Sequence, residues 1–400
     1  MQKFEKHSPV VVTEVTTKHE LRQFMQYPNR LYADNPNYIP SFYGDDLSDW
    51  TPGKNPAFDY CEARCWLARR DGEIVGRIGA ILSHKANDKF GTHRMRFSQV
   101  DFVDDSEVSA ALFGTVERWA REKGCDQVHG PLGFTDMDRE GMLVEGFDRR
   151  SLFFTNYNAP YYLEHLTRLG YRKDVDWIEY RITVPEPGGA EAERLHKLSE
   201  FILKRKHLHV ATVHHKSEYG PFVRQVFELV NAAYAPLYGV VELSDEQIER
   251  YANKFIPLVD PDFVCFVVDE QDQLVAFGVT ALDPSVALKH SDGRLFPFGW
   301  AGVLNDLHHS DTLIMLLTAV RPDLQAEGIN AVMMDHVCQS CNRHGVRFAE
   351  TGPMLELNDH ILAQWKRLEK EQHKRRRCFI KDLDHDVNAA NAAAAQTETP

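Results

Sequence analysis

Alternating and clustered apolar residues divide the chain into two similar halves, and each half contains a predicted β-hairpin. Residues 65–82 read as two strands joined by Asp71-Gly72, a dipeptide that favours a tight turn. Residues 263–282 repeat this pattern around a polar turn at 269–273. The pattern therefore predicts one hairpin in each half of the chain.

The segments around the two hairpins also follow a common plan. Amphipathic helical segments come before the hairpins, at residues 18–32, 221–234 and 244–255. A strand, a helix and a second strand come after them, at 95–103, 108–123 and 127–131 in the first half and at 313–320, 329–343 and 348–353 in the second. Gly124 and Gly345 follow the long helices as expected C-caps. The offset of about 221 residues indicates a duplicated α/β unit, because solenoid repeats are far shorter.

These elements predict an α/β protein with two tandem domains. We expect the first domain at residues 1–185, a linker helix at 186–206 and the second domain at 207–384. Residues 385–400 are small and polar without apolar periodicity, so we expect a disordered tail.

Composition narrows the functional classes. The net charge of −13 argues against nucleic acid as a partner, because binding phosphates requires clustered basic residues. The basic run Lys374–Arg377 is interpreted as the solvated end of a helix. No segment is apolar for long enough to span a membrane, and the N-terminus lacks a signal-peptide core. Seven cysteines without a disulfide framework favour a reduced, cytoplasmic protein.

Cysteine and histidine spacing offers one possible metal motif. Cys338, Cys341 and His344 are three residues apart, but a structural zinc site needs four ligands and no second pair follows. Residues at this spacing share one face of the predicted helix, which is typical of a buried surface. We therefore predict no metal site.

The turn at residues 325–330 is a candidate anion site. It joins the apolar strand at 313–320 to the helix that follows, so its main-chain N–H groups lack intrahelical partners and lie at the positive end of the helix dipole. Gly328 would let a ligand approach the backbone closely. The turn lacks the lysine and hydroxyl residues of a P-loop.

The same turn resembles the pyrophosphate loop of GNAT acyltransferases, Q/R-x-x-G-x-G/A, with Asn330 at its last position. The order of elements in each half is also similar to a GNAT domain. The segments 129–147 and 157–171 resemble a bacterial N-acyltransferase family of about this length, and the resemblance implies long acyl chains and sphingoid-type amines as substrates of some relatives. The resemblance covers roughly residues 11–383 and implies two tandem GNAT-like domains with mixed sheets.

This resemblance implies an acyl-CoA site in the second half. The strand at 313–320 and the one beginning at Phe348 would diverge, and the pantetheine arm would lie between them. The implied donor-binding residues are Ala319, Val320, Gln325, Ala326, Glu327, Gly328, Ile329, Asn330 and Asn358. In the first half, residues 102–107 carry three carboxylates where the phosphate loop would lie, and these would repel a pyrophosphate.

The general acid of GNAT enzymes is usually a tyrosine on the helix after the fifth strand. Trp365 occupies this region in the second half and cannot act as that acid, whereas Tyr161 and Tyr162 match it in the first half. Two hypotheses follow: each half is partly degenerate, or first-half residues face the second-half donor in a composite site. Packing of the tyrosines is the alternative.

Carboxylates supply the candidate bases. The acidic loop at residues 136–140 and Glu145 follow a strand end, where α/β sites are often found. Asp138 and Glu145 are the preferred bases, and Glu350 and Glu356 compete with them. Loop solvation and helix capping are the alternative roles.

The resulting functional hypothesis is acyl transfer from acyl-CoA to a small-molecule or lipid-type amine, without a metal or a covalent intermediate. Acyl carrier protein is an alternative donor that the basic run Lys374–Arg377 could contact, and a homodimer is possible. A degenerate, non-catalytic CoA-binding or scaffold protein is the first rival. An aminoacyl-tRNA-dependent transferase is the second, but the acidic composition argues against it.

Overall fold

A computed structural model of the protein describes residues 8–383, and the tail predicted at 385–400 lies outside this range. The described part contains one mixed sheet with helices on both faces. Its strands are β1 (Val11–Glu14), β2 (Cys61–Arg70), β3 (Glu73–Ser83), β4 (Arg94–Phe102), β5 (Gln127–Gly130), β6 (Met142–Glu145), β7 (Arg172–Thr183), β8 (His209–Val210), β9 (Val264–Val268), β10 (Leu274–Leu282), β11 (Thr312–Val320), β12 (Phe348–Glu350), β13 (Met354–Leu355) and β14 (Lys370–Asp382). Its α-helices are α1 (Lys18–Leu31), α2 (Tyr43–Asp49), α3 (His84–Phe90), α4 (Ser106–Glu122), α5 (Tyr161–Arg168), α6 (Ala190–Lys206), α7 (Gly220–Tyr234), α8 (Asp245–Phe255), α9 (Ser285–His290), α10 (Gly299–His309), α11 (Asn330–His344) and α12 (Asp359–Ala363).

The repeated plan predicted from the apolar pattern is present. The hairpin turns fall where expected, with Asp71 and Gly72 at positive φ between β2 and β3. Ser244 caps α8, and Gln247 completes the capping box. Gly124 and Gly345 adopt left-handed geometry after α4 and α11, with φ of 73° and 70°. Local turn and cap chemistry therefore specifies these boundaries.

The order of strands interlocks the two repeats. From one edge the sheet runs β1-β2-β3-β4-β5-β14-β7-β12-β11-β10-β9-β8. Strand β14, from the end of the chain, lies between two first-repeat strands, and β7 lies between two second-repeat strands. Each repeat thus completes its sheet with a strand from the other.

The interpretation of Lys374–Arg377 as a solvated helix end is wrong. These residues belong to β14, and Lys374 and Arg376 are almost fully buried. Because side chains alternate along a strand, Arg375 and Arg377 lie on the other face, where both pair with Asp176. The run is therefore committed to contacts within the sheet, which removes it as a docking site for acyl carrier protein.

Buried ion pairs hold β14 against its neighbours. Lys374 Nζ lies 3.2 Å from carboxylate oxygens of both Glu179 and Glu350, and it donates to the Arg150 carbonyl. Arg376 pairs with the other oxygen of Glu179. Burial alone would raise the pKa of Glu179, but the charges of Arg376 and Lys374 outweigh it and lower this pKa to about 2. Charge pairing therefore offsets the desolvation of four buried ionic groups.

Within residues 8–383, no helix combines the length and the apolar character needed to cross a bilayer.

Candidate functional site

The principal opening in the sheet lies beside β11. This strand pairs with β10 along most of its length, but with β12 over three residue pairs only, from Thr312↔Phe348 to Ile314↔Glu350. The chain beyond β12 turns to β13, which pairs with β7 instead. Residues 315–320 are therefore left without a neighbouring strand on that side in the described structure, and this is the divergence expected from the sequence.

Main-chain groups of Thr318 and Val320 face this opening. The Arg321 N–H donates to the Val275 carbonyl of β10 at 2.8 Å. Because the main-chain groups of successive strand residues point to opposite sides, those of Val320 and Thr318 point away from β10. Tyr234 Oη donates to the Thr318 carbonyl at 2.8 Å, and Gln325 Nε2 donates to the Val320 carbonyl at 3.2 Å. Within residues 8–383, this edge of β11 thus pairs with side chains rather than with a neighbouring strand.

The turn after β11 presents several unpaired N–H groups. Within the described structure, the amides of Ala326, Gly328, Ile329 and Asn330 have no hydrogen-bond acceptor. Ala326 and Gly328 have φ of 63° and 85° in the turn just before α11. These donors and the positive end of the helix dipole make the turn suitable for an anion.

One large cavity joins the free edge and the turn. It has a volume of about 1170 Å³. The donor-binding residues predicted from the sequence line it, except Glu327, which pairs with Lys206 at 2.7 Å. Lys366 and Arg367 also line it, and no ion pair engages them in residues 8–383. Asn358 lies at the wall and caps α12 through its side chain. The cavity therefore has basic side chains close to its unpaired amides.

First-repeat residues form another part of the cavity wall. Asp136 and Glu140 come from the loop after β5, and Val175–Trp177 come from the exchanged strand β7. Tyr234 and Tyr238 belong to the second repeat and line the same region. The arrangement supports the composite-site hypothesis, because groups from both repeats face one space.

Two carboxyl groups of this wall have perturbed pKa values. Burial raises the pKa of Asp136 to about 6, and the nearby Asp138 adds to this effect. Burial also raises the pKa of Glu140 well above its ordinary value, with Asp136 contributing a like charge. Each of these carboxyl groups therefore holds its proton to a higher pH than an exposed carboxyl group does.

The two preferred bases from the sequence lie outside this cavity. Asp138 Oδ2 accepts hydrogen bonds from the amides of Phe134 and Thr135, at 2.8 and 3.2 Å, so this side chain shapes the acidic loop. Glu145 is largely exposed on β6 and pairs with Arg375 at 3.2 Å. Asp136 and Glu140 are the members of the acidic segment that line the cavity.

The other carboxylates considered are engaged in ion pairs. Glu350 contacts Lys374, as described above. Glu356 pairs with Lys173 at 2.9 Å and with Arg375 at 2.6 Å. Basic neighbours lower the pKa of Glu356, and Glu350 is committed to its contact with Lys374, so neither is a strong candidate base.

Tyr161 and Tyr162 bond to the end of β4 in their own repeat. Tyr162 is fully buried, accepts the Phe102 N–H at 2.8 Å and also accepts a hydrogen bond from Tyr32 Oη at 2.8 Å. Tyr161 Oη donates to the Phe102 carbonyl. Burial raises the pKa of Tyr162 well above its ordinary value. In the first repeat, these two phenols therefore occupy the edge of β4. The corresponding edge in the second repeat is the open edge of β11.

Replacement of Tyr162 by Phe separates a packing role from a catalytic one. We expect Tyr162→Phe to lower the free energy of unfolding by about 1–3 kcal/mol, because the buried Phe102 N–H loses its acceptor. We expect kcat per folded molecule to stay unchanged. Urea unfolding and transferase assays measure the two effects, with Tyr161→Phe as the matched control. A large kcat loss at unchanged stability would instead identify Tyr162 as the acid.

The helix start of the first repeat is occupied by a carboxylate from the chain itself. Asp105 caps α4 by accepting from the amides of Glu107 and Val108. Arg70 pairs with both Asp105 and Glu107, at 2.5 and 2.7 Å. The amides that would bind an external phosphate are therefore already satisfied, which leaves the second repeat as the one with an open anion site.

Two tyrosines of the cavity were missed by the sequence analysis. Tyr234 ends α7, and burial raises its pKa to about 12. Tyr238 Oη contacts His129 Nδ1, Asp174 Oδ2 and Cys378 Sγ, at 2.8, 2.5 and 3.5 Å. Tyr234 is the last residue of the predicted helix, and Tyr238 follows it. No local sequence signal distinguishes either of them from an ordinary aromatic residue.

The same cluster contains a possible set of metal ligands. His129, Asp174 and Cys378 each place one ligand atom within 4.8 Å of the others. The Tyr238 phenol hydrogen bonds to all three, however, and therefore takes the position that an ion would need. We interpret His129, Asp174 and Cys378 as hydrogen-bonding partners that hold the Tyr238 hydroxyl in place.

Comparison with known proteins agrees with this architecture. No protein-family model matches the chain. It is 27% identical to Protein YghO of Escherichia coli strain K12 over 379 residues, which is 93% of this chain and 95% of that protein. It is 28% identical to a bacterial ceramide synthase of Caulobacter vibrioides, over 73% of this chain and 75% of that protein.

A solved structure shows the same arrangement of two repeats. A tandem GNAT protein from the clavulanic acid biosynthesis pathway superposes with a TM-score of 0.53 at 13% identity, covering 94% of this chain and 99% of that one. The protein therefore has the tandem GNAT fold, as the sequence predicted.

Proposed function

We propose that the protein is an acyltransferase that binds an acyl-CoA thioester in the second repeat and transfers the acyl group to an amine. One observation carries the proposal. The free edge of β11 and the unpaired amides of Ala326, Gly328, Ile329 and Asn330 open into the same cavity as two first-repeat carboxyl groups. The tandem GNAT fold and the ceramide synthase relative support acyl transfer as the reaction class.

The cavity could hold the parts of acyl-CoA in the order in which they occur along the molecule. The turn at 325–330 would hold the pyrophosphate, and Lys366 and Arg367 add positive charge nearby. The main-chain groups of Thr318 and Val320 would bond the amides of the pantetheine arm. This order would bring the thioester toward Asp136 and Glu140.

Asp136 is the proposed general base. An amine must lose a proton before or during attack on the thioester carbonyl, and a carboxylate with a raised pKa accepts a proton better than an ordinary one. Glu140, whose pKa is also raised by burial, could donate a hydrogen bond to the substrate while it is protonated.

Tyr234 is proposed to stabilise the leaving thiolate by hydrogen bonding. Its pKa of about 12 lies about 3.5 above that of an ordinary thiol, near 8.5, so full proton transfer would be unfavourable. Its hydroxyl donates its single proton to the Thr318 carbonyl, on the free edge of β11. In the reaction this O–H would turn from Thr318 to the developing negative charge.

A lipid-type amine is the proposed acceptor. Leu195, Leu198, Leu237, Trp177 and Leu355 contribute apolar area to the cavity wall. An apolar wall would favour a long-chain amino alcohol over a small charged amine. The name of the ceramide synthase relative points to the same class of acceptor.

Replacement of Gly328 by Ala tests donor binding. We expect Gly328→Ala to weaken CoA binding about tenfold or more, about 1.4 kcal/mol, because φ of 85° disfavours a side chain and the turn would have to change shape. The added Cβ would also lie 3.0 Å from Ile202 Cδ1. Calorimetric titration of CoA measures the effect.

Gly345→Ala is the matched control at the other end of α11. It imposes similar strain, with φ of 70°, and its Cβ meets no atom within 4 Å. We expect it to reduce stability while CoA binding stays unchanged. If the wild-type protein binds neither CoA nor acyl-CoA, the proposal fails and a scaffold role is favoured. If acyl carrier protein replaces CoA as donor, the transfer reaction remains and free CoA binds weakly.

A further inference from the structure

An exposed cluster of aromatic residues lies on the second repeat, outside the cavity. It belongs to the aromatic hairpin, defined here as residues 285–309, which comprises α9, a connecting segment and α10. The side chains of Phe296, Phe298 and Trp300 are 81%, 82% and 47% exposed. Val286 and Leu304 of the same hairpin are also exposed. Apolar side chains this concentrated on a surface indicate an interaction site.

The helix α10 has two distinct apolar stripes. Val303 and Leu307 face inward, in a cluster with Leu288 and Ile314. Trp300 and Leu304 are four residues apart on the outer side, and His308 continues that stripe. Burying Val303 already anchors the helix, so the outer stripe is not needed for folding.

The hairpin is rigidly attached to the first repeat. The Tyr43 N–H donates to the Gly293 carbonyl at 3.0 Å, and Asn29 Nδ2 donates to the Asp292 carbonyl at 3.1 Å. Lys289 Nζ donates to the Asn35 carbonyl at 2.8 Å. These contacts hold the connecting segment, so the aromatic side chains project from a fixed support.

The charge of the hairpin differs from that of the whole chain. Its two basic side chains, Lys289 and Arg294, balance Asp292 and Asp306, while the chain carries −13. Three histidines, at positions 290, 308 and 309, are exposed beside the aromatic residues. An anionic surface would repel the chain as a whole, and it would repel this face least.

We propose that the aromatic hairpin docks onto an anionic phospholipid bilayer, with Phe296, Phe298 and Trp300 entering the interface. Aromatic side chains favour the headgroup region, and a short helix with an apolar outer stripe can lie in the membrane plane. Arg294 and the histidines would contact the lipid headgroups. The proposal does not depend on the acyltransferase reaction.

Flotation with lipid vesicles tests the docking surface. The full-length protein is mixed with phosphatidylcholine vesicles that contain or lack phosphatidylglycerol. We expect binding to the anionic vesicles, and about a tenfold or greater loss of partitioning for the combined variant Phe296→Ser, Phe298→Ser and Trp300→Ser. The control combines Val11→Ser, Phe90→Ser and Phe201→Ser, which removes exposed apolar side chains elsewhere.

Thermal unfolding and CoA titration establish that the variants remain folded. Equal vesicle binding by the wild type and the hairpin variant would overturn the proposal, as would no binding by the wild type. Light scattering without vesicles tests the alternative that a second copy of the chain binds this surface. A concentration-dependent dimer that the hairpin variant loses would assign this surface to a second copy of the chain and also overturn the proposal.

Discussion

Asp136→Asn is expected to reduce kcat for acyl transfer by about 10²–10⁴-fold, because the amide cannot accept the proton of the attacking amine. CoA binding should persist, because this side chain lies on the first-repeat part of the cavity wall. Thiol release from acetyl-CoA, octanoyl-CoA and palmitoyl-CoA, with a panel of primary amines, measures kcat. Glu145→Gln is the control, because Glu145 is an exposed carboxylate of the neighbouring strand. Equal losses in both variants would contradict the assignment.

The pH dependence of the reaction provides an independent readout. The pKa of Asp136 is raised to about 6, so the base is ionised above pH 6 and protonated below it. We therefore expect kcat/KM to fall as pH decreases through about 6, and we expect Asp136→Asn to lack this limb. Because the folded-state pKa is raised, the ionised group opposes folding at neutral pH, and the variant should be at least as stable as the wild type.

Lys374→Met is expected to lower the free energy of unfolding by about 3–5 kcal/mol. The change preserves most of the side-chain volume but leaves the buried carboxylates of Glu179 and Glu350 without their shared cation. Urea denaturation measures the loss. Arg377→Met is the control on the opposite face, where Asp176 keeps contacts with Lys173 and Arg375. A loss in the control as large as in Lys374→Met would contradict the special role of Lys374.

The pH dependence of unfolding in acid should report on the same ion pairs. The pKa of Glu179 falls from its ordinary value of 4.5 to about 2, so the pairs stabilise the fold above about pH 4.5 and lose this contribution as pH falls toward 2. Lys374→Met should shift acid unfolding to higher pH. Adding Glu350→Gln should recover part of the stability by removing one uncompensated charge, which a double-mutant cycle would measure.

Local rules predicted much of the fold and part of the site. The hairpin turns, the Ser244 cap and the glycines after α4 and α11 were predicted because turns and caps depend on a few adjacent residues. The turn at 325–330 was found in the same way. In contrast, β14 was missed because a run of basic residues is usually exposed. Its buried members are compensated by Glu179, which is about 200 residues away in the chain.

Local sequence patterns could not decide which of the acidic and aromatic candidates line the cavity. Asp136 and Asp138 are two residues apart, yet one lines the cavity and the other bonds to its own loop. Tyr162 matches a catalytic position in sequence, but in the structure it bonds to Phe102 at the edge of β4. Side-chain direction at these positions depends on partners that are distant in the chain.

The sequence alone determined the two repeats, their hairpins and helices, and it pointed to the helix start that we propose as an anion site, since periodicity, turn residues and caps act over a few positions. Only the tertiary structure decided which groups share the cavity. The exchange of β7 and β14 brings the first-repeat loop beside the free edge of β11, and that juxtaposition depends on strand pairing between segments about 200 residues apart.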